Sequence, residues 1–109
     1  MKRAFVIHLR SQDLESVGRK VGEIVPVLEG RFYPFDIGAL CGIIQEVLSQ
    51  FDTSKDFIVP MGSTLVNFLA GYYLGQQNTG LIKIMVHDVK TNMYREVIFA
   101  PDDLKPKEE

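Results

Sequence analysis

The segment Asp56-Phe-Ile-Val-Pro-Met-Gly-Ser-Thr-Leu-Val-Asn-Phe-Leu-Ala70 constrains the fold more than any other part of the chain. A short apolar run ends at Pro60, the chain turns at Gly62, and an apolar helix opens behind Ser63 and Thr64. A strand, a tight glycine turn and a capped helix start in such quick succession predict a layered α/β sheet. Backbone N–H groups at such a helix start favour a phosphate or a carboxylate.

A chain of 109 residues supports one domain around one core. Its formal charge of −2 argues against duplex DNA and anionic membranes as partners, since both need a cationic face. A small phosphorylated ligand needs only a few local donors and stays open. Cys41 is the only cysteine, which excludes an intrachain disulfide and a thiolate metal cluster. Between Leu40 and Gly42 it reads as a small buried hydrophobe. With two histidines, no metal and no cofactor are expected. The first apolar run is too short for a signal peptide and no segment reads as a membrane span, so the expected compartment is the cytoplasm.

Ala4 to Leu9 reads as a central strand, covered on both faces. Ser11 to Lys20 reads as a polar helix, with Leu14, Val17 and Val21 on one side and Gly18 weakening it. Glu23 to Phe35 is one strand or an irregular edge hairpin, because Pro26 forbids a well-paired central strand. Asp36 then caps a helix with an apolar stripe of Ile37, Leu40, Ile43, Ile44, Val47, Leu48 and Phe51. Phe57 to Met61 is a buried strand, and the helix from Thr64 ends near Gly75. Leu81 to His87 and Tyr94 to Phe99 form a hairpin with Asn92 in its turn. The expected architecture is a single small Rossmann-like α/β domain over residues 1–100. It has an open, mostly parallel sheet with helices on both faces and a C-terminal antiparallel β-hairpin. Residues 101–109 are expected to be a charged flexible tail.

In such sheets ligands bind beyond the carboxyl ends of the parallel strands. That rule selects Arg10 and Ser11 after the first strand, Gly62, Ser63, Thr64 and Asn67 after the Phe57 strand, and Asp88 after the Leu81 strand. Arg10 could clamp a phosphate with two parallel bonds, or simply be solvated. Gly62 either gives a ligand close approach or satisfies a sharp turn, and Ser63 and Thr64 either contact an anion or cap the helix. Asn67 interrupts an apolar stretch, so its amide must bond a loop or a ligand. Asp88 either reaches the site or starts the hairpin turn. His8 reads as a satisfied core histidine, and the adjacent His87 and Asp88 point to opposite faces of an extended strand. These residues name a ligand-binding edge without naming a catalytic group.

The stretches Phe57-Ile-Val-Pro-Met-Gly-Ser-Thr-Leu-Val-Asn-Phe-Leu-Ala70 and Ile84-Met-Val-His-Asp-Val-Lys-Thr-Asn-Met-Tyr94 together resemble the small CRISPR-associated accessory proteins of the Csx type, which include ring nucleases. Gly62, Asn67 and Asp88 carry the match. The resemblance implies a homodimer binding a cyclic oligoadenylate or related small nucleotide across a two-fold axis. It also implies possible metal-independent phosphodiester cleavage, with orientation and charge stabilisation from Arg10, Ser63 and Thr64. Asn67 stands where the resemblance implies a histidine, which moves the expectation from cleavage toward binding.

The alternative is a non-catalytic α/β interaction module acting through homo-oligomerisation. On that reading Gly71, Tyr72, Tyr73 and Leu74 give the helix a second, exposed apolar patch that marks an interface.

Overall fold

The first strand, β1 (Arg3–Leu9), sits where both faces are covered, and its apolar run follows from that: Ala4, Phe5, Val6 and Ile7 are all buried. The computed structural model describes residues 2–10, 22–77 and 80–104. The remaining elements are β2 (Glu23–Glu29), α1 (Ile37–Leu48), β3 (Phe57–Val59), α2 (Thr64–Gln76), β4 (Ile82–Asp88) and β5 (Met93–Phe99), followed by a 3-10 turn over Pro101–Leu104. They make a small mixed α/β fold with one five-stranded sheet in the order β2-β1-β3-β4-β5. β2, β1, β3 and β4 run parallel, and β5 returns antiparallel to β4.

Period-two alternation divides the core between the two faces of the sheet. Phe5, Ile7, Ile58 and Ile82 face one layer, where they meet Ile44 and Leu48 of α1 and Val66, Ala70 and Leu74 of α2. Ala4, Val6, Phe57, Val59 and Met85 face the other, with Tyr94 of the hairpin. Both described helices therefore share one face. This follows from the strand order, because β2 to β3 and β3 to β4 advance across the sheet in the same direction, and crossovers of one hand then leave it on the same side. The helix expected over Ser11 to Lys20, on which a second covered face depended, lies outside the described residues.

Glu23–Glu29 is one parallel edge strand, with Pro26 opposite Val6, and Arg31 to Phe35 does not extend it into a hairpin. An edge position tolerates the missing N–H of Pro26. The Asp36 carboxylate accepts from Ala39 N at 3.1 Å and starts α1 as its cap. Cys41 is a correction: it is exposed. It lies about 100° around the helix from buried Leu40, on a flank that the Leu40, Ile44, Leu48 stripe leaves outside the core. In the hairpin Asn92 takes φ +54, the left-handed conformation its short amide tolerates. Pro101–Leu104 forms a 3-10 turn where the flexible tail was expected to begin, and residues 105–109 lie outside the described residues. Among the described residues no helix is long and apolar enough to cross a membrane.

Candidate functional site

The chain leaves β1 toward β2 and later returns to β1's other side as β3, so the carboxyl ends of these strands diverge in their connections. Ligands favour this position in open α/β sheets. A cleft of about 870 Å³ lies there, lined by His8, Arg10, Gly30, Arg31, Phe32 and Ser63 among others. Its floor is organised by His8, only 4% exposed although it ends a strand. Ser63 N–H donates to His8 Nδ1 at 2.8 Å, and His8 Nε2 lies 2.7 Å from the Gly30 carbonyl oxygen. A backbone N–H can only donate and a carbonyl can only accept, which places the ring proton on Nε2. The Phe32 ring packs edge-on against the imidazole, with centroids 5.2 Å apart. His8 thus ties the ends of β1 and β2 to the β3–α2 turn, and both ring nitrogens are engaged.

Gly62 is required twice over. Its φ is +81, and a methyl group at its Cα would lie 2.5 Å from both His8 Cβ and the His8 carbonyl oxygen. The missing side chain makes room for the histidine. Ser63 Oγ accepts from Val66 N at 3.4 Å as the helix cap. The Asn67 amide Nδ2 donates to both Met61 O and Ser63 O at 2.8 Å, which fixes its orientation and braces the turn from within. Its Oδ1 is buried without a partner. Thr64 is exposed as the first residue of α2.

The structure therefore gathers Gly62, Ser63 and Asn67 around His8, with Arg10 on the rim of the same cleft. Ser11 lies outside the described residues. Asp88 is not brought to this cleft. β4 is separated from β1 by β3, and Asp88 lies beside His87, Arg95 and Glu96 of the hairpin rather than among the residues that line the cleft. There its carboxylate accepts from Lys90 N at 3.0 Å and pairs with Arg95 at 3.3 Å, starting the hairpin turn. His87 instead meets Asn92 at 3.0 Å and packs beside Tyr94. Two guanidinium groups, Arg10 and Arg31, suit an anion at the cleft rim, but the Ser63 N–H that would complete an anion cradle is held by His8. Among the described residues no group of three or more His, Cys, Asp or Glu side chains could hold a metal.

The Asp88 carboxyl is held below its ordinary value, first by the Lys90 N–H bond and, against the opposing effect of burial, by Arg95 and Thr91. A depressed carboxylate contributes stability that is present above the unfolded-state value and disappears as the pH falls through the folded-state one. Carboxyl NMR titration should find Asp88 below the ordinary aspartate range, and still below it in Arg95→Ala, because the larger cause is a backbone bond. A native midpoint at or above the ordinary range contradicts the turn geometry.

Sequence reasoning missed Arg31, Gly30 and the ion pair at the opposite end of the sheet. Arg3 reaches Asp56 through Nε at 3.2 Å and through its terminal nitrogen at 2.8 Å, and also donates to Gln50 O at 2.7 Å. Asp56 is fully buried and accepts Asp52 N–H at 2.8 Å. No local pattern links positions 53 residues apart.

The sequence model of the family described as Phage Pam3 gp32-like protein matches residues 9–101. The chain belongs to that family. No curated protein matches it, and no solved structure does. Membership of a phage protein family overturns the resemblance to CRISPR-associated ring nucleases, and with it the expectation of cyclic oligoadenylate binding or cleavage. The shared pattern was a strand, a glycine turn and a capped helix. In this chain Gly62 and Asn67 serve His8 and the turn carbonyls, so the likeness reflects local architecture.

Proposed function

We propose that this member of a phage protein family is a protein-contact module whose working surface is the outer face of α1 and α2. One observation carries the reading: the helix layer is almost without charge. In two helices of 12 and 13 residues the only charged side chain is Glu46, although 24% of the chain is charged. A surface helix normally turns a polar face to water, and a helix apolar all round is normally covered. α2 has Val66, Ala70 and Leu74 inward, yet Phe68 is 69% exposed and Tyr72 63% exposed on its outer side. Aromatic side chains left outside on a short domain mark a contact surface.

The strand order, with successive crossover helices on one face, supports a doubly wound, Rossmann-like reading with helices on both faces, in which residues 1–100 form a single domain. In such a scaffold a rigid helix layer presents side chains in fixed positions, which favours recognition of another protein surface. A photo-crosslinking residue placed at Tyr72, with Lys90 in the hairpin turn as control, tests this. Expressed beside the neighbouring reading frames of its source genome, the chain should give protein adducts at position 72 and few at 90. Equal yields at both positions, or adducts only at 90, overturn the assignment.

A further inference from the structure

We propose that the cavity between α2, the β4–β5 hairpin and the Pro101–Leu104 turn is a binding site for a small uncharged molecule with an apolar body and one N–H or O–H donor. The strand order makes the room. α2 connects β3 to β4, and its Leu69 and Tyr73 flank meets Ile44 of α1. After β4 the chain returns as antiparallel β5 rather than as another helix, so no described helix follows onto the last two strands. On the helix side of the sheet these strands carry Ile82, Ile84 and Phe99, all packed on the core. The short Pro101–Leu104 turn comes back over them, and a cavity of about 520 Å³ is left between turn, sheet and helix. Leu104 lines it yet is largely exposed, so an apolar occupant would cover surface that now meets water.

The α2 wall is the row Asn67, Gly71, Gly75, on the flank away from α1. A methyl group at Gly71 or Gly75 would meet nothing within 4 Å, and neither glycine takes a positive φ. Both keep the cavity open, although each weakens the helix relative to alanine. Room alone names no ligand, and Asn67 supplies the chemistry. Its Nδ2 is committed to the carbonyls of Met61 and Ser63, so Oδ1, on the other arm of the amide, points away from the turn. That oxygen is buried and has no partner among the described residues. A buried acceptor without a donor is uncommon in a folded protein, and this one belongs to a side chain that lines a cavity. A ligand N–H or O–H completes it.

Charge and volume narrow the class. Asp102 is the only charged residue among the described lining, so an anion finds no cation there. A charge moved from water into walls of this kind is costly unless paired. A cavity of about 150 Å³ walled by Leu, Ile and Phe takes up benzene. The volume of about 520 Å³ therefore suits a body of roughly three such rings, within the range of small-molecule sites that combine apolar walls with a few polar groups. Phe68 and Tyr72, on the outer side of α2, do not line the cavity. The site is thus separate from the contact surface and does not depend on it.

The probe is N-phenyl-1-naphthylamine, a neutral three-ring amine with one N–H whose fluorescence rises in apolar surroundings. Titrated with the full chain, it should bind saturably with a dissociation constant on the order of 10 μM or lower. Gly71→Leu should weaken binding about tenfold or more by filling the cavity. It replaces glycine by a better helix former in open space, so the circular dichroism spectrum and the unfolding midpoint should be kept. The donor is varied on the ligand, because replacing Asn67 would also release the turn between β3 and α2. As a competitor, 1-benzylnaphthalene, with CH2 in place of N–H, should bind about fivefold or more weakly. Phe68→Ala with Tyr72→Ala should leave the titration unchanged. The inference is overturned by the absence of saturable binding, by binding that survives Gly71→Leu, or by a hydrocarbon that competes as well as the amine. Binding lost with Phe68 and Tyr72 overturns it too, since the probe then sits on the outer face of α2.

Discussion

Gly62→Ala is expected to destabilise the fold more than the same change at Gly30, Gly38, Gly42, Gly71, Gly75 or Gly80. The residue occupies φ +81, where an L side chain costs about 1–2 kcal/mol. The added carbon would also lie 2.5 Å from the His8 carbonyl oxygen and Cβ, atoms that belong to the central strand and cannot turn aside. Relief requires moving the β3–α2 turn, which lengthens the 2.8 Å bond from Ser63 N–H to His8 Nδ1. Overpacking of this kind adds about 1–3 kcal/mol, so a total loss of about 2–5 kcal/mol is expected against the 5–15 kcal/mol that holds a typical domain folded. Urea unfolding monitored by circular dichroism measures it. A glycine kept for a ligand's approach behaves differently: its alanine variant keeps native stability and loses only binding, and that result would remove the role assigned to His8.

Arg3→Ala is expected to cost about 3–5 kcal/mol, the usual consequence of breaking a buried ion pair from one side. The asymmetry of the pair sets the direction. Asp56 is fully buried, whereas the Arg3 side chain is 22% exposed. Removing the arginine strands a carboxylate that cannot reach water and keeps, among the described residues, the Asp52 N–H bond alone. Removing the carboxylate leaves a guanidinium that can turn outward and retains the Gln50 carbonyl. Arg3→Ala should therefore lower the unfolding midpoint more than Asp56→Ala, and a double-mutant cycle should return a large coupling. Equal and additive losses below about 1 kcal/mol, as at an exposed pair, contradict the burial.

The elements themselves were legible because each is encoded locally. The apolar stripe from Leu40 through Leu48, the Asp36 and Ser63 caps, and the turn residues Gly62 and Asn92 depend on neighbours within about one helical turn, and they fall where the sequence places them. The edge role of β2 followed from Pro26, whose missing donor is a property of the residue itself. Local patterns failed where surface and core differ by a rotation. Cys41 and Ile43 fit an apolar helix equally well, and only packing against α2 and β2 decided that both lie outside.

The opening segment shows the same division. Its sequence by itself determined a strand, a positive-φ glycine and a capped helix, since each is set by backbone sterics and short-range hydrogen bonds. Tertiary structure decided what that turn is for. His8, from a strand 54 residues earlier in the chain than Gly62, takes the space the glycine leaves and the N–H of Ser63. The order β2-β1-β3-β4-β5 holds Asp88 away from them. The same packing put α1 and α2 side by side and made two separate apolar helices into one nearly uncharged surface. Contacts between distant positions depend on which faces meet, and no local period in the chain records that.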